Sequence, residues 1–348
     1  MQRFWEAKES QMSQLKLMSG MRPTGKLHLG HYEGVLTNWV KLQEEYQCFY
    51  CVADWHALTT KYDKTETLAQ DRLEVVLDWL ACGIDPDKAI VYYQSQIPQI
   101  AELHILLSMI TPNNWVERDP TLKDMVKIIK GKDAAGSDNV PQLSYGLLGY
   151  PVLMTADILA FNASVVPVGN DQLAHLEISR DIARRFNNIY KTDFFIEPTP
   201  KLTHVPLLQG VDGQKMGKSF NNDIKISDDE KTTEKKVMSA ITDRSRARKD
   251  DPGHPDKCEV AFNYYKLFAD ENTIKETEHE CTKGLRGCAD CKRKLAQIIN
   301  NKFAPIRAKR QELANDINKV KDIINCGNDK AKAEAKVVLE KAKSIVGI

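Results

Sequence analysis

Four short apolar runs alternate with stretches of helical periodicity, and this alternation constrains the chain more than any other feature. The runs lie at 15–19, at 48–54 (Cys-Phe-Tyr-Cys-Val-Ala-Asp), at 89–94 (Ala-Ile-Val-Tyr-Tyr-Gln) and at 164–168 (Ser-Val-Val-Pro-Val). Strand, helix, strand, helix implies a parallel sheet, because parallel neighbours need a crossover that a helix supplies. In the stretch 66–82, Leu68, Arg72, Val75, Val76, Trp79 and Leu80 recur at three- and four-residue spacing; Gly83 supplies the stop and Pro86 follows. Such sheets bind ligands at the carboxyl ends of their strands, where loops enter helix N-termini that can hold phosphate.

Beyond residue 220 the strand-like runs stop, and 230–248, 259–279, 292–324 and 330–346 read as helices. Gly327, followed by Asn328 and Asp329, reads as a C-cap and then an N-cap separating the last two. The organisation predicted is an α/β unit over 1–220 and an α-helical domain over 221–348, and 348 residues are enough for both. No apolar run approaches the roughly 18 residues of a membrane span, and residues 1–16 lack the apolar stretch of a secretory signal. The expectation is a cytoplasmic protein with no membrane partner. The net charge of +1 excludes a uniformly basic coat. It divides, however, into −6 over residues 1–200 and +7 over 201–348, so the second half suits a polyanion.

Two segments carry phosphate chemistry. The first, Ser19 to His31, follows a probable strand and opens a helix with His28-Leu29-Gly30-His31. Two imidazoles three apart at a helix start share a face, can donate to phosphate oxygens, and sit in positive potential; Gly30 removes a side chain that would block a nucleotide. The second segment, Gly210 to Ser219, is glycine-rich and places Lys215 and Lys218 in a loop that can close over a phosphate chain. Either alone matches often by chance.

In this order and separation the pair resembles the signature motifs of class I aminoacyl-tRNA synthetases. The resemblance implies a Rossmann-like parallel-sheet catalytic domain with a C-terminal α-helical domain. It also implies ATP held between the two motifs while an amino-acid carboxylate attacks the α-phosphate. His28, His31, Lys215 and Lys218 would be catalytic, and Arg22, Thr24, Gly30, Met216 and Ser219 would join them around ATP and its Mg²⁺. The sequence departs from the commonest form of the loop at Gly217, where the family has a serine.

Asp157 stands inside the apolar run Val152 to Leu159, an expensive place for a carboxylate without a donor. The surrounding run, Gly146 to Leu159 and then Val166-Pro167-Val168-Gly169-Asn170-Asp171-Gln172, resembles bacterial-type tryptophanyl-tRNA synthetases. The resemblance extends from Met18 onward and implies L-tryptophan and tRNA(Trp) as substrates, with Asp157 accepting the indole N–H. It places Tyr150, Met154, Val166 and Val168 around the indole, and Gly169, Asp171 and Gln172 by the ribose and the amino acid. A tyrosyl-tRNA synthetase is the alternative on the same fold, although a Val- and Met-rich pocket with one aspartate suits an indole better than a phenol. From another class, an RNA-binding iron–sulfur regulator derived from a synthetase is the competing reading, and the retained histidines and lysines weigh against it. The same resemblance assigns 98–143, including Glu117-Arg118-Asp119-Pro120, to an insertion that forms homodimers.

Four of the eight cysteines cluster as Cys258-x22-Cys281-x6-Cys288-x2-Cys291 among basic residues. Four thiolates close a tetrahedral zinc site or hold an iron–sulfur cluster, and the ligand set alone does not choose. The full spacing resembles that of the subset of bacterial tryptophanyl-tRNA synthetases with a [4Fe–4S] cluster near the anticodon-binding surface. Cys48 and Cys51 fall on opposite faces of a strand and, with Cys82 and Cys326, are expected to be packing residues.

Overall fold

The computed structural model describes residues 15–117, 144–169, 172–202 and 208–348. All four expected strands form: β1 (Lys16–Met21), β2 (Gln47–Val52), β3 (Ala89–Tyr93) and β4 (Val165–Val168). A fifth, β5 (Thr199–Leu202), was not anticipated, because its Thr-Pro-Lys-Leu has no apolar alternation and only the ladder with β4 defines it. The sheet is wholly parallel, in the order β3-β2-β1-β4-β5.

The helices in the first half are α1 (Leu29–His31), α2 (Thr37–Leu42), α3 (Asp54–Lys61), α4 (Leu68–Ala81), α5 (Pro98–Ile110), α6 (Asn113–Glu117), α7 (Tyr145–Leu159) and α8 (Leu173–Tyr190). A π-helical stretch, Tyr32–Leu36, joins α1 to α2. They cover both faces of the sheet. Leu17, Cys48, Tyr50 and Val91 face one apolar cluster with Trp39 and Trp79, while Met18, Phe49, Cys51 and Tyr92 face the other with α5, α7 and α8. Cys48 and Cys51 thus enter opposite layers, as their odd spacing requires. Cys82 packs against the first cluster, whereas Cys326 is exposed rather than buried as a packing residue.

The second half is helical as expected, with different boundaries: α9 (Glu230–Ser239), α10 (Ala261–Phe268), α11 (Glu271–Thr282), α12 (Cys288–Asn315) and α13 (Ile317–Val346). The stretch expected as one helix over 259–279 divides because Asp270 caps α11, accepting from the Thr273 N–H. The expected break at Gly327 is absent, and α13 runs through it. A Cβ at Gly327 would lie 1.9 Å from the Val91 carbonyl oxygen, and the next side chain, Asn328 Oδ1, accepts from Tyr93 N at 2.9 Å. The Gly-Asn pair therefore docks the helix on edge strand β3 and satisfies a strand N–H there, rather than capping two helices. Ala331, Ala335 and Ala342 continue the close-packed face into the second apolar cluster. A Gly327→Ala variant is expected to lose about 3 kcal/mol, an overpacking cost against backbone that cannot yield, measured as a shifted urea midpoint at unchanged m-value.

Candidate active site

A cavity of about 670 Å³ opens at the carboxyl ends of β1, β2 and β4 and is roofed by α1, α7 and the loop around Lys215. His28 is the N-cap of α1 and is buried. Its Nδ1 accepts from Gly30 N at 3.1 Å, and the Nδ1 of His31 accepts from His28 N at 3.3 Å. With each Nδ1 committed as an acceptor, the neutral rings carry their protons on Nε2. Burial lowers His28 to about 4, with Lys218 adding to the effect against Asp223. Burial, then His28 and Lys218, lower His31 to about 2. Both rings, with centroids 3.8 Å apart, are therefore uncharged N–H donors near neutral pH. A Cβ at Gly30 would stand 3.0 Å from the His28 ring, so the glycine keeps room for that imidazole as well as for a ligand.

Asn222 organises the lysine loop. Its Oδ1 accepts from Gly217 N at 2.9 Å, and its Nδ2 donates to Asp212 Oδ1 and the Lys215 carbonyl. Lys215 and buried Met216 line the cavity. Lys218 does not; its ammonium donates to the Thr24 carbonyl, Thr24 Oγ1 and the Gly25 carbonyl at 2.7–3.1 Å, tying this loop to the one before α1. Gly217 has extended backbone at φ −168°, which any residue adopts, so the missing serine is not a conformational requirement. The side chain of Ser219 lies outside the described residues. Arg22 lines the cavity, and burial lowers its proton affinity.

At the opposite end Asp157 is 2% exposed. Its Oδ2 lies 2.8 Å from His56 Nε2, and Gln94 Nε2 donates to both carboxylate oxygens at 2.8 and 2.9 Å. Met154, Val166 and Val168 supply apolar wall around it, and Tyr150, Gly169 and Gln172 line the same cavity. Tyr150 Oη, His175 Nε2, His175 Nδ1 and Gln172 Oε1 form a chain with contacts of 2.5 and 2.8 Å. Asp171 lies outside the described residues, as do residues 118–143 of the expected insertion. One cavity thus joins a donor-rich end to an apolar end with a single buried carboxylate.

The family described as tRNA synthetases class I (W and Y) matches residues 10–304. The tryptophan–tRNA ligase of Thermotoga maritima is 43% identical, with 96% of this chain and 99% of that protein covered. That of Aquifex aeolicus is 39% identical, covering 96% and 100%. The chain belongs to the class I tryptophanyl-tRNA synthetases. A crystal structure of the tryptophanyl-tRNA synthetase from Campylobacter jejuni, complexed with ADP and tryptophan, has the same fold, with a TM-score of 0.85 at 36% identity over 96% of this chain and all of that one.

The structure of this synthetase adds residues that motif reading missed. His56 lies in the first turn of α3, just after β2, and Gln94 follows β3, both at strand ends where ligands bind; that position was the available signal. His175 gave none, since it meets Tyr150 and Gln172 only in the fold. Lys218 is lowered to about 8, by burial first and opposed by Asp78, Asp71 and Asp223. The charged form is the one that attracts phosphate. The synthetase is accordingly expected to hold a constant KM for ATP below about pH 7 and to weaken as pH rises through 8, whereas Lys218→Arg removes that alkaline rise. Pyrophosphate exchange across pH 6–9.5 measures it.

In the synthetase Cys258, Cys281 and Cys291 lie where α10, α11 and the start of α12 approach one another, near enough for each to feel other thiols of the set electrostatically. Burial raises all three, Cys291 to about 11. The Cys258 sulfur faces the backbone N–H groups of Phe262, Asp243 and Ala261, and Arg246 reaches Cys288 Sγ at 3.8 Å. Among the described residues no three His, Cys, Asp or Glu side chains are arranged as a metal site, and no helix is long and apolar enough to cross a membrane.

Proposed function

We propose that this synthetase activates L-tryptophan with ATP and transfers it to tRNA(Trp) in the cytoplasm. The observation that carries the reading is the two-ended cavity, in which buried Asp157 faces an apolar wall and the Nε2–H donors of His28 and His31 occupy the other end. ATP enters with Mg²⁺ on its phosphates. A tryptophan carboxylate oxygen attacks the α-phosphorus, the bond to the β-phosphate breaks, and pyrophosphate leaves. The tRNA 3′-terminal hydroxyl then displaces AMP from the adenylate.

The chain's own groups act by position and charge. Asp157 accepts the indole N–H, held in place by His56 and Gln94. The two imidazoles donate to phosphate oxygens as negative charge builds, helped by the α1 N-terminus. Lys215 and Arg22, which line the cavity, stabilise the departing pyrophosphate, and Lys218, tied to the Thr24 and Gly25 carbonyls, joins them as the lysine loop closes. ATP–pyrophosphate exchange with tryptophan and tyrosine side by side tests the assignment; exchange with tyrosine alone would transfer it to the tyrosyl branch.

Two finer readings belong here. Ile105, Met109 and Tyr145 are exposed apolar residues on α5 and at the start of α7, flanking the segment 118–143, which supports a homodimer formed on that side. Cys258, Cys281, Cys288 and Cys291 would hold a [4Fe–4S] cluster rather than zinc. Four soft donors at this spacing in the sequence, the N–H groups facing Cys258 and the basic rim support it, and the cluster would pin the basic domain structurally. Anaerobically purified protein is expected to show broad visible absorbance and about four iron and four sulfide per chain. A colourless protein with one zinc would overturn the choice.

A further inference from the structure

Helix α12 reaches the signature motif from the helical domain through three basic side chains. Arg310 Nε donates to Asp78 Oδ1 at 2.5 Å, and its NH2 donates to Glu74. Asp78 is fully buried in α4, and its other oxygen accepts from Leu27 N at 2.6 Å, one residue before His28. The Leu27 carbonyl accepts from Ile226 N at 2.9 Å, and the Ile226 carbonyl in turn accepts from Arg307 Nε at 3.3 Å. Lys302 pairs with Glu33 at 3.1 Å in the π-helical stretch after His31. Both sides of the Leu27 peptide, and the segment just past the histidines, are therefore linked to α12.

We propose that Asp78 and Arg310 are positioning residues for ATP activation, holding the Leu27 peptide so that α12 sets where the His28 ring stands. The same 28-residue helix starts at Cys288 and carries Cys291, so about 28 Å of continuous helix separates the cysteine site from Arg310. The helix passes Pro305 between the two, and its grip on Leu27 is one residue from a phosphate donor.

This inference rests on the proposed function, and pyrophosphate exchange by the parent chain is measured first; failure there counts against that function. The variants are Arg310→Lys, which keeps the buried charge and gives up part of the two-carboxylate contact, and the double variant Asp78→Asn with Arg310→Met. The latter leaves Glu74 without its guanidinium but still accepting from Gln70 Nε2, and the new amide oxygen at position 78 still accepts from Leu27. Both are expected to fold and to lose about 10–100-fold in kcat/KM for ATP, the double variant more, while the Kd for tryptophan moves less than twofold. Kinetics within twofold of the parent in both would overturn the assignment. So would an equal loss of tryptophan and ATP recognition, since that is general loosening.

Discussion

Replacing Asp157 with alanine is expected to lower kcat/KM for tryptophan by about 10³-fold, the largest effect of any substitution away from the phosphate end. A charge-assisted hydrogen bond to a buried indole N–H contributes about 1.5–3 kcal/mol. Its loss is compounded because His56 and Gln94, both directed at the carboxylate, lose their acceptor inside the wall. Orphaned donors of this kind cost a further 1–3 kcal/mol or so. The diagnostic is a ratio. The parent should reject 1-methyltryptophan, which has no N–H to donate, whereas Asp157→Ala should accept it about as well as tryptophan. Pyrophosphate exchange with both amino acids measures this, and a variant that still discriminates would remove Asp157 from indole recognition.

His28→Ala is expected to reduce the rate of adenylate formation by about 10²–10³-fold, in the range lost when one preorganised oxyanion donor is removed. Tryptophan affinity should stay within about twofold, because the imidazole is at the other end of the cavity. Truncation also leaves the Gly30 N–H without its cap and costs about 1 kcal/mol of local stability. His28→Asn separates the two effects, since asparagine is a strong cap but a misplaced donor: stability returns and the rate does not. Single-turnover adenylate formation at saturating ATP and tryptophan, read beside thermal unfolding, distinguishes them. Loss in His28→Ala with His31→Ala should fall short of the product of the single losses, because the rings act on the same phosphate charge.

These histidines also predict an acid response. Unfolded histidine titrates near 6.5. Folded His28 does so at about 4 and His31 at about 2. Between those values the unfolded chain holds more protons, so folding stability falls as pH drops below about 6.5 and the loss per histidine ends at its folded value.

Much of the fold was legible because local pattern and tertiary role agree. The four apolar runs became β1–β4, and the periodicity of 66–82 became α4, whose following Gly83 has φ +107°. The two signature segments were legible as chemistry because glycines, histidines and lysines at those spacings serve few other purposes together. What local pattern could not provide was partners far apart in sequence. Gly327-Asn328 carries the composition of a helix break, and only the approach of β3 makes it a docking point inside α13. Strand β5 exists because β4 offers a free edge. Asp157 announced itself as an acid in an apolar run, yet its ligands His56 and Gln94 stand 101 and 63 residues away. By itself, then, the sequence determined the class of sheet, the phosphate chemistry and the substrate family, all written in short-range spacing. Tertiary structure alone decided which carbonyls, carboxylates and edge N–H groups each of those residues meets, because a buried polar group takes its partner from whatever the packed chain brings within about 3 Å.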